Sequence, residues 1–171
     1  KYSRLQLEQS LSPSMDITVS SNFERLMFDL YDRSGDAVFD LMQQFQSGEI
    51  ELSASAMSEA RALFASQCVS DDETCAEIAR VWRDNEYLLD PHSAIGTRAA
   101  WDCRVDASSP MVTLATAHPA KFPDAIANSG VSEKAKLPAH LVDLFERPER
   151  FCVLDNDLAK VQQHMAATVS V

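Results

Sequence analysis

The stretch Met111-Val112-Thr113-Leu114-Ala115-Thr116-Ala117 constrains this chain more than any other. It is short and almost wholly apolar, the pattern of a strand covered on both faces, and such strands sit in sheets flanked by helices. It ends abruptly in His118-Pro119-Ala120-Lys121-Phe122-Pro123-Asp124. Polar strand ends of this kind are where α/β proteins hold ligands. Only Phe151-Cys152-Val153-Leu154 offers a second run of the same type. Two strands do not make a two-sided sheet. Either they pair with each other at an edge, or the other strands belong to sequence outside these 171 residues.

Most of the remaining chain has helical periodicity. Residues 1–19 are polar and irregular, with Ser10-Leu11-Ser12-Pro13-Ser14 reading as loop. Ser21 and Glu24 have capping-box spacing, and Phe23, Leu26, Met27, Leu30 and Tyr31 share one face. Gly35-Asp36 punctuates, and a second helix carries Val38, Leu41, Met42 and Phe45 before stopping at Gly48. Ile50–Leu52 is too short to assign. Ser55 reads as the cap of a helix with Ala60, Leu63 and Phe64. Ser70 and Glu73 form another capping box ahead of Cys75, Ile78, Ala79 and Trp82. Asp90-Pro91 places a cap and an N1 proline before a helix reaching about Trp101. Pro123 opens a short helix ending near Gly130, and Leu137, Leu141, Leu144 and Phe145 mark another. Asp155 or Asn156 caps the last, with Leu158, Val161 and Met165 inward. The reading is a helix-rich α/β chain with an incomplete sheet.

Charge narrows the partners. The net charge is −11, with acidic residues scattered rather than blocked, which argues against nucleic acid and anionic membrane surfaces. No run of ~18 apolar residues suits a membrane span, and Lys1-Tyr2-Ser3-Arg4 has neither an initiating Met nor a signal-peptide core, which is expected of an excised fragment. A cytoplasmic location is the expectation. Cys68, Cys75, Cys103 and Cys152 form no C-x-x-C pair and read as reduced thiols, with two disulfides as the alternative. The four glycines are too dispersed for a phosphate-cradling loop.

Several residues invite chemistry. Asp90, His92 and Ser93 hold the residue types of a hydrolytic triad, but no G-x-S-x-G elbow is present and a capped helix start explains them. His92, His118, His140 and His164 lack metal-ligand spacing, so no metal site is expected. Lys121 is a tempting Schiff-base lysine, but without a phosphate loop a surface or hydrogen-bonding role is the better reading. On pattern alone, the chain is an α/β domain with a polar site after a strand.

Three blocks carry the reading further. Thr116-Ala117-His118-Pro119-Ala120-Lys121-Phe122 resembles a C-terminal signature of the threonine synthase family. So do Leu11-Ser12-Pro13-Ser14-Met15-Asp16-Ile17 with Val19–Arg25, and Tyr87-Leu88-Leu89-Asp90-Pro91-His92-Ser93-Ala94-Ile95-Gly96, in the family's order. Val153–Leu158 is similar to its closing strand and helix. The resemblance implies the C-terminal portion (1–171) of the large cofactor-binding domain region of a tryptophan-synthase-β-like, fold-type II pyridoxal-phosphate enzyme. The Schiff-base lysine and the cofactor's phosphate loop lie upstream in that family, and neither motif is present here. Such enzymes are lyases that convert O-phospho-L-homoserine and water to L-threonine and phosphate. The resemblance places Thr116 against the cofactor's pyridine nitrogen, with a buried strand threonine bonded to backbone as the alternative. It makes Ser12, Ser14, Asp16, Asp90, His92 and His118 candidates for the substrate cleft. Loop shaping competes for the first three, capping for Asp90 and His92, and loop fixing for His118. It implies a small-molecule substrate, no nucleic-acid or membrane partner, no particular oligomeric state, and no activity or bound cofactor for the fragment alone. Another phospho-amino-acid lyase or synthase of the superfamily, and a non-catalytic helical interaction module, are the competing readings.

Overall fold

The computed structural model describes residues 1–3 and 6–169. Arg4 and Leu5, within the stretch read as irregular, and Ser170 and Val171 lie outside the described residues. The chain divides into two units, Lys1–Lys136 and Leu137–Val171.

The first unit is built around two apolar clusters. One is formed by α1 (Ser21–Leu30), α2 (Gly35–Phe45), α3 (Ala54–Leu63) and a two-residue antiparallel pair, β1 (Tyr2–Ser3) with β2 (Glu49–Ile50). Met27, Phe45, Ile50 and Leu52 are buried there. Tyr2 stacks on Phe45 with ring centroids 4.5 Å apart. Its hydroxyl accepts from the Ser20 backbone N–H at 3.1 Å.

That last bond corrects the start of α1. The N-cap is Ser20, not Ser21, and it makes no side-chain capping bond. With Ser20 as cap the third helical position is Phe23 rather than Glu24, so the capping box is lost, and the Ser20 N–H is held by Tyr2, eighteen residues away in sequence. Two other caps also shift. Ser53, whose side chain accepts from Ala56 N–H, opens α3 in place of Ser55. Ser34 caps α2, so Gly35 begins that helix instead of separating it from α1.

The second cluster joins α4 (Asp71–Asn85), α5 (Pro91–Cys103) and α6 (Pro123–Asn128) through Ile78, Val81, Leu89, Ala94 and Ile126. The Ser70–Glu73 capping box forms in both directions as expected. Glu77 is buried on α4 and bonded by the Arg80 guanidinium at 2.8 and 2.7 Å. Burial pushes its carboxyl up, but hydrogen bonds from Arg80 and Thr97 and the nearby arginine charges outweigh it and hold it below the ordinary range. Its stabilisation is therefore complete above the ordinary glutamate value and is lost as pH falls through the depressed one.

Neither expected strand forms a ladder among the described residues. Residues 111–117 form no regular secondary structure, and Val112 and Leu114 are 79% and 75% exposed. Residues 151–154 are likewise unpaired and exposed. A strand's backbone groups need a partner, and β1–β2, elsewhere in the chain, is the one pair present among the described residues. The approach to 111–117 is organised nonetheless. The Arg104 guanidinium donates to the carbonyls of Asp106, Ala107 and Ser109. The Asp106 carboxyl, bonded by Ser108 and Ser109, is pushed down to about 2.

In the second unit the helix expected around Leu137–Phe145 is replaced by two single 3-10 turns, Ala139–Leu141 and Leu144–Glu146. Arg147 donates to the His140 carbonyl at 3.1 Å and to Asp143 at 2.5 Å. That carbonyl would otherwise accept from the N–H of Leu144 in a continuous helix. The last helix, α7, spans Leu158–Val169. It is capped by Asp157, whose carboxylate accepts from Lys160 N–H, rather than by Asp155 or Asn156. No described residue of 137–169 is buried.

Candidate functional site

The site grows from the start of α5. Asp90 is its N-cap and Pro91 its first residue, so the backbone N–H groups that follow point at the Asp90 carboxylate. Its Oδ1 accepts from His92 N–H at 2.9 Å and Ser93 N–H at 3.3 Å. The same oxygen accepts a hydrogen bond from His92 Nδ1 at 3.0 Å, and Oδ2 accepts from the Ser93 hydroxyl. Asp90 is 1% exposed. Burial pushes its carboxyl up, yet the bonds from Ser93 and His92 more than compensate and keep it below the ordinary aspartate value.

Two distant segments close on this turn. The Ser14 backbone N–H donates to His92 Nε2 at 3.2 Å. An imidazole nitrogen that accepts carries no proton, so the other nitrogen holds it, matching its bond to Asp90. The Ser14 loop is itself fixed, since the Asp16 carboxylate accepts from Ser10 N–H at 2.8 Å and Ser10 Oγ at 2.6 Å. Ser12, buried beside it, shares a 3.0 Å hydroxyl contact with Ser10. From the other side, Thr116 N–H donates to Ser93 Oγ at 3.2 Å. Phe122 lays its ring against His92, with centroids 4.7 Å apart.

The structure therefore brings Ser14, Asp90, His92, Ser93 and Thr116 into one hydrogen-bonded chain. It does not assemble a hydrolytic triad. Ser93 donates to Asp90 rather than to His92, and both His92 nitrogens are already engaged. His118 accepts from Ala120 N–H at 3.2 Å and so caps the turn Pro119–Lys121. Lys121 is exposed, with its Nζ 5.5 Å from the Phe122 ring centroid. No metal-binding cluster occurs among the described residues, whose four cysteines are all free. No helix among them is long and apolar enough to cross a membrane.

Sequence reasoning missed the reach of Ser93 to Thr116 and the packing of Phe122 on His92. The signal for the first was the third helical position of Ser93, within reach of an Asp cap. The sequence separation of 23 positions between the partners hid the rest. Gly96 shows how close the Thr116 segment lies to α5, because a Cβ there would sit 3.0 Å from Thr113 Cγ2. Gly96→Val is accordingly expected to push the 113–116 segment away from the helix and break the Ser93–Thr116 bond. Faster amide exchange at Thr116 would report it, and wild-type exchange would contradict the packing.

Thr116 is tethered only through its backbone. Its side-chain hydroxyl makes no hydrogen bond among the described residues, and the residue is exposed. A free hydroxyl on a held backbone suits a ligand that presents an unprotonated ring nitrogen, because it donates one hydrogen bond without adding charge. The donor set thus fits a pyridine-type cofactor.

Known proteins agree at two levels. The chain superposes on the structure of pyridoxal-phosphate-bound threonine synthase from Brucella melitensis with a TM-score of 0.85 and 45% identity, covering 99% of this chain and 36% of that one. Its fold class is that of the fold-type II pyridoxal-phosphate enzymes. Residues 93–165 match the family described as threonine synthase, C-terminal. The chain is 56% identical over 163 residues to threonine synthase of Pseudomonas aeruginosa and 34% identical over 166 residues to that of Corynebacterium glutamicum. It spans about a third of the length of these relatives, 35% and 34% respectively.

Proposed function

We propose that this chain is the C-terminal part of a cytoplasmic, pyridoxal-phosphate-dependent threonine synthase, a lyase acting on O-phospho-L-homoserine and water to give L-threonine and phosphate. The observation that carries the reading is Thr116, held by its backbone with its hydroxyl free, inside a region that matches the family. The cofactor, when bound, supplies an electron sink for proton removal from the substrate amino acid. The role of Thr116 is to donate its hydroxyl to the ring nitrogen. A neutral donor leaves that nitrogen unprotonated, which limits how far charge spreads into the ring, whereas a carboxylate would hold it protonated.

The other residues divide by burial. Ser12, Asp90 and His92 are buried and fully bonded, and they act as the frame behind the cleft. Ser14, Asp16 and His118 lie nearer the surface and are the substrate-side candidates. The Schiff-base lysine and the phosphate-binding loop belong to the upstream part of the enzyme, so the chain alone neither turns over nor binds the cofactor stably.

Thr116→Val in the complete enzyme tests the assignment. The cofactor's absorption is expected to shift and its affinity to fall about 5- to 10-fold, the value of one lost hydrogen bond. An unchanged spectrum would show that Thr116 does not meet the ring. Assay with O-phospho-L-homoserine is expected to release threonine and phosphate together, and release of neither would refute the reaction. For the chain alone, a stoichiometric borohydride-reducible adduct at one lysine would contradict the expected lack of binding.

A further inference from the structure

Resting on the function proposed above, we propose that Ser93 is the positioning residue for Thr116. Its hydroxyl, oriented by Asp90, sets where the Thr116 hydroxyl meets the cofactor ring. The argument begins with an apparent defect. Residues 111–117 carry Thr116 but have no ladder among the described residues to hold their register. Two contacts to α5 locate the run instead: the close approach of Thr113 to Gly96 and the bond from Thr116 N–H to Ser93 Oγ. Only the second acts on Thr116 itself.

A serine hydroxyl rotates freely unless its proton is committed. Here it is committed, because Ser93 Oγ donates to Asp90 Oδ2 and leaves a lone pair for Thr116 N–H. Ser93 is 2% exposed, so water does not compete for that lone pair. Asp90 is fixed in turn by two backbone N–H groups and by His92, whose far nitrogen is held by the Ser14 N–H. The acceptor that places Thr116 is thus the end of a buried chain of bonds that starts in the 10–16 loop. A lone Ser93 would place Thr116 loosely, and the buried chain makes the placement stiff.

The test uses the complete holoenzyme and the absorption of its bound cofactor, a readout that a role in folding alone would not move. Ser93→Ala is expected to shift the band in the same direction as Thr116→Val and to weaken cofactor affinity about 5- to 10-fold. Ser93→Thr, which keeps the hydroxyl, is expected to retain the wild-type spectrum. The double variant Ser93→Ala/Thr116→Val should shift no further than Thr116→Val, because both act through one contact. Should Ser93→Ala fail to hold cofactor, Ser93→Thr and Ser93→Val decide, since they share a shape and differ by the hydroxyl. A spectral difference between those two supports the proposal, and identical spectra overturn it. A wild-type spectrum in Ser93→Ala alongside a shifted Thr116→Val overturns the positioning role and leaves the proposed function standing. Additive shifts in the double variant overturn the positioning role too. If neither single variant shifts the band, both readings fall together.

Discussion

Replacing Asp90 with alanine is expected to destabilise the chain by about 3–4 kcal/mol, combining a lost helix cap with buried donors left unpaired. Four donors converge on this carboxylate: the N–H groups of His92 and Ser93, the His92 ring and the Ser93 hydroxyl. With Asp90 removed, the His92 Nδ1 proton and the Ser93 hydroxyl stay buried without their acceptor. Urea denaturation followed by circular dichroism measures the loss, and a change below about 1 kcal/mol would mean that relaxation or water replaces the carboxylate. Asp90→Asn should cost less, since one oxygen still caps α5. It should also flatten the acid side of the stability profile. The Asp90 carboxyl lies below its ordinary value in the folded chain. Its contribution is therefore complete above that ordinary value and lost as pH falls through the depressed one. The asparagine variant lacks this acid-dependent loss.

Ile78→Ala is expected to cost a comparable amount, about 3–4 kcal/mol, for an unrelated reason. Ile78 is 0% exposed in the cluster with Val81, Leu89, Ala94 and Ile126, where α4, α5 and α6 meet. Truncation removes buried methyl and methylene groups and leaves a cavity that three helices cannot easily close. Phe39→Ala is the control. That ring is 63% exposed, so the change should stay within about 0.5 kcal/mol. Equal losses at the two positions would show that the α4–α6 cluster is not a packed core.

What was legible in the residues follows the range of the interactions. Ser70 with Glu73, and Asp90 with Pro91, are decided within one helical turn, and both helix starts form as their residues dictate. The start of α1 lies one residue earlier than its local pattern indicates: Ser20 is the cap, its N–H is held by the distant Tyr2 hydroxyl, and Glu24 no longer stands at capping-box spacing. The run 111–117 was legible as apolar, but the expected strand does not form among the described residues. Its lack of a ladder is not a local property, since a strand's partner is set by whatever chain lies beside it.

The site itself was legible as three blocks, through family resemblance, but not as a geometry. His92 meets Ser14 across 78 residues, and Thr116 meets Ser93 across 23. No periodicity encodes such pairs. Block by block, Asp90 and His92 carry a capping explanation and a cleft explanation at once. The bonds show the capping role and extend it: the cap of α5 also holds the loop before α1 and the segment bearing Thr116.

The most direct test of this account is a crystal structure of the complete enzyme with pyridoxal phosphate bound. The account predicts Thr116 Oγ1 about 2.8 Å from the pyridine nitrogen, with Thr116 N–H still held by Ser93 Oγ. A carboxylate against that nitrogen, or a Thr116 hydroxyl turned away from the ring, would contradict it.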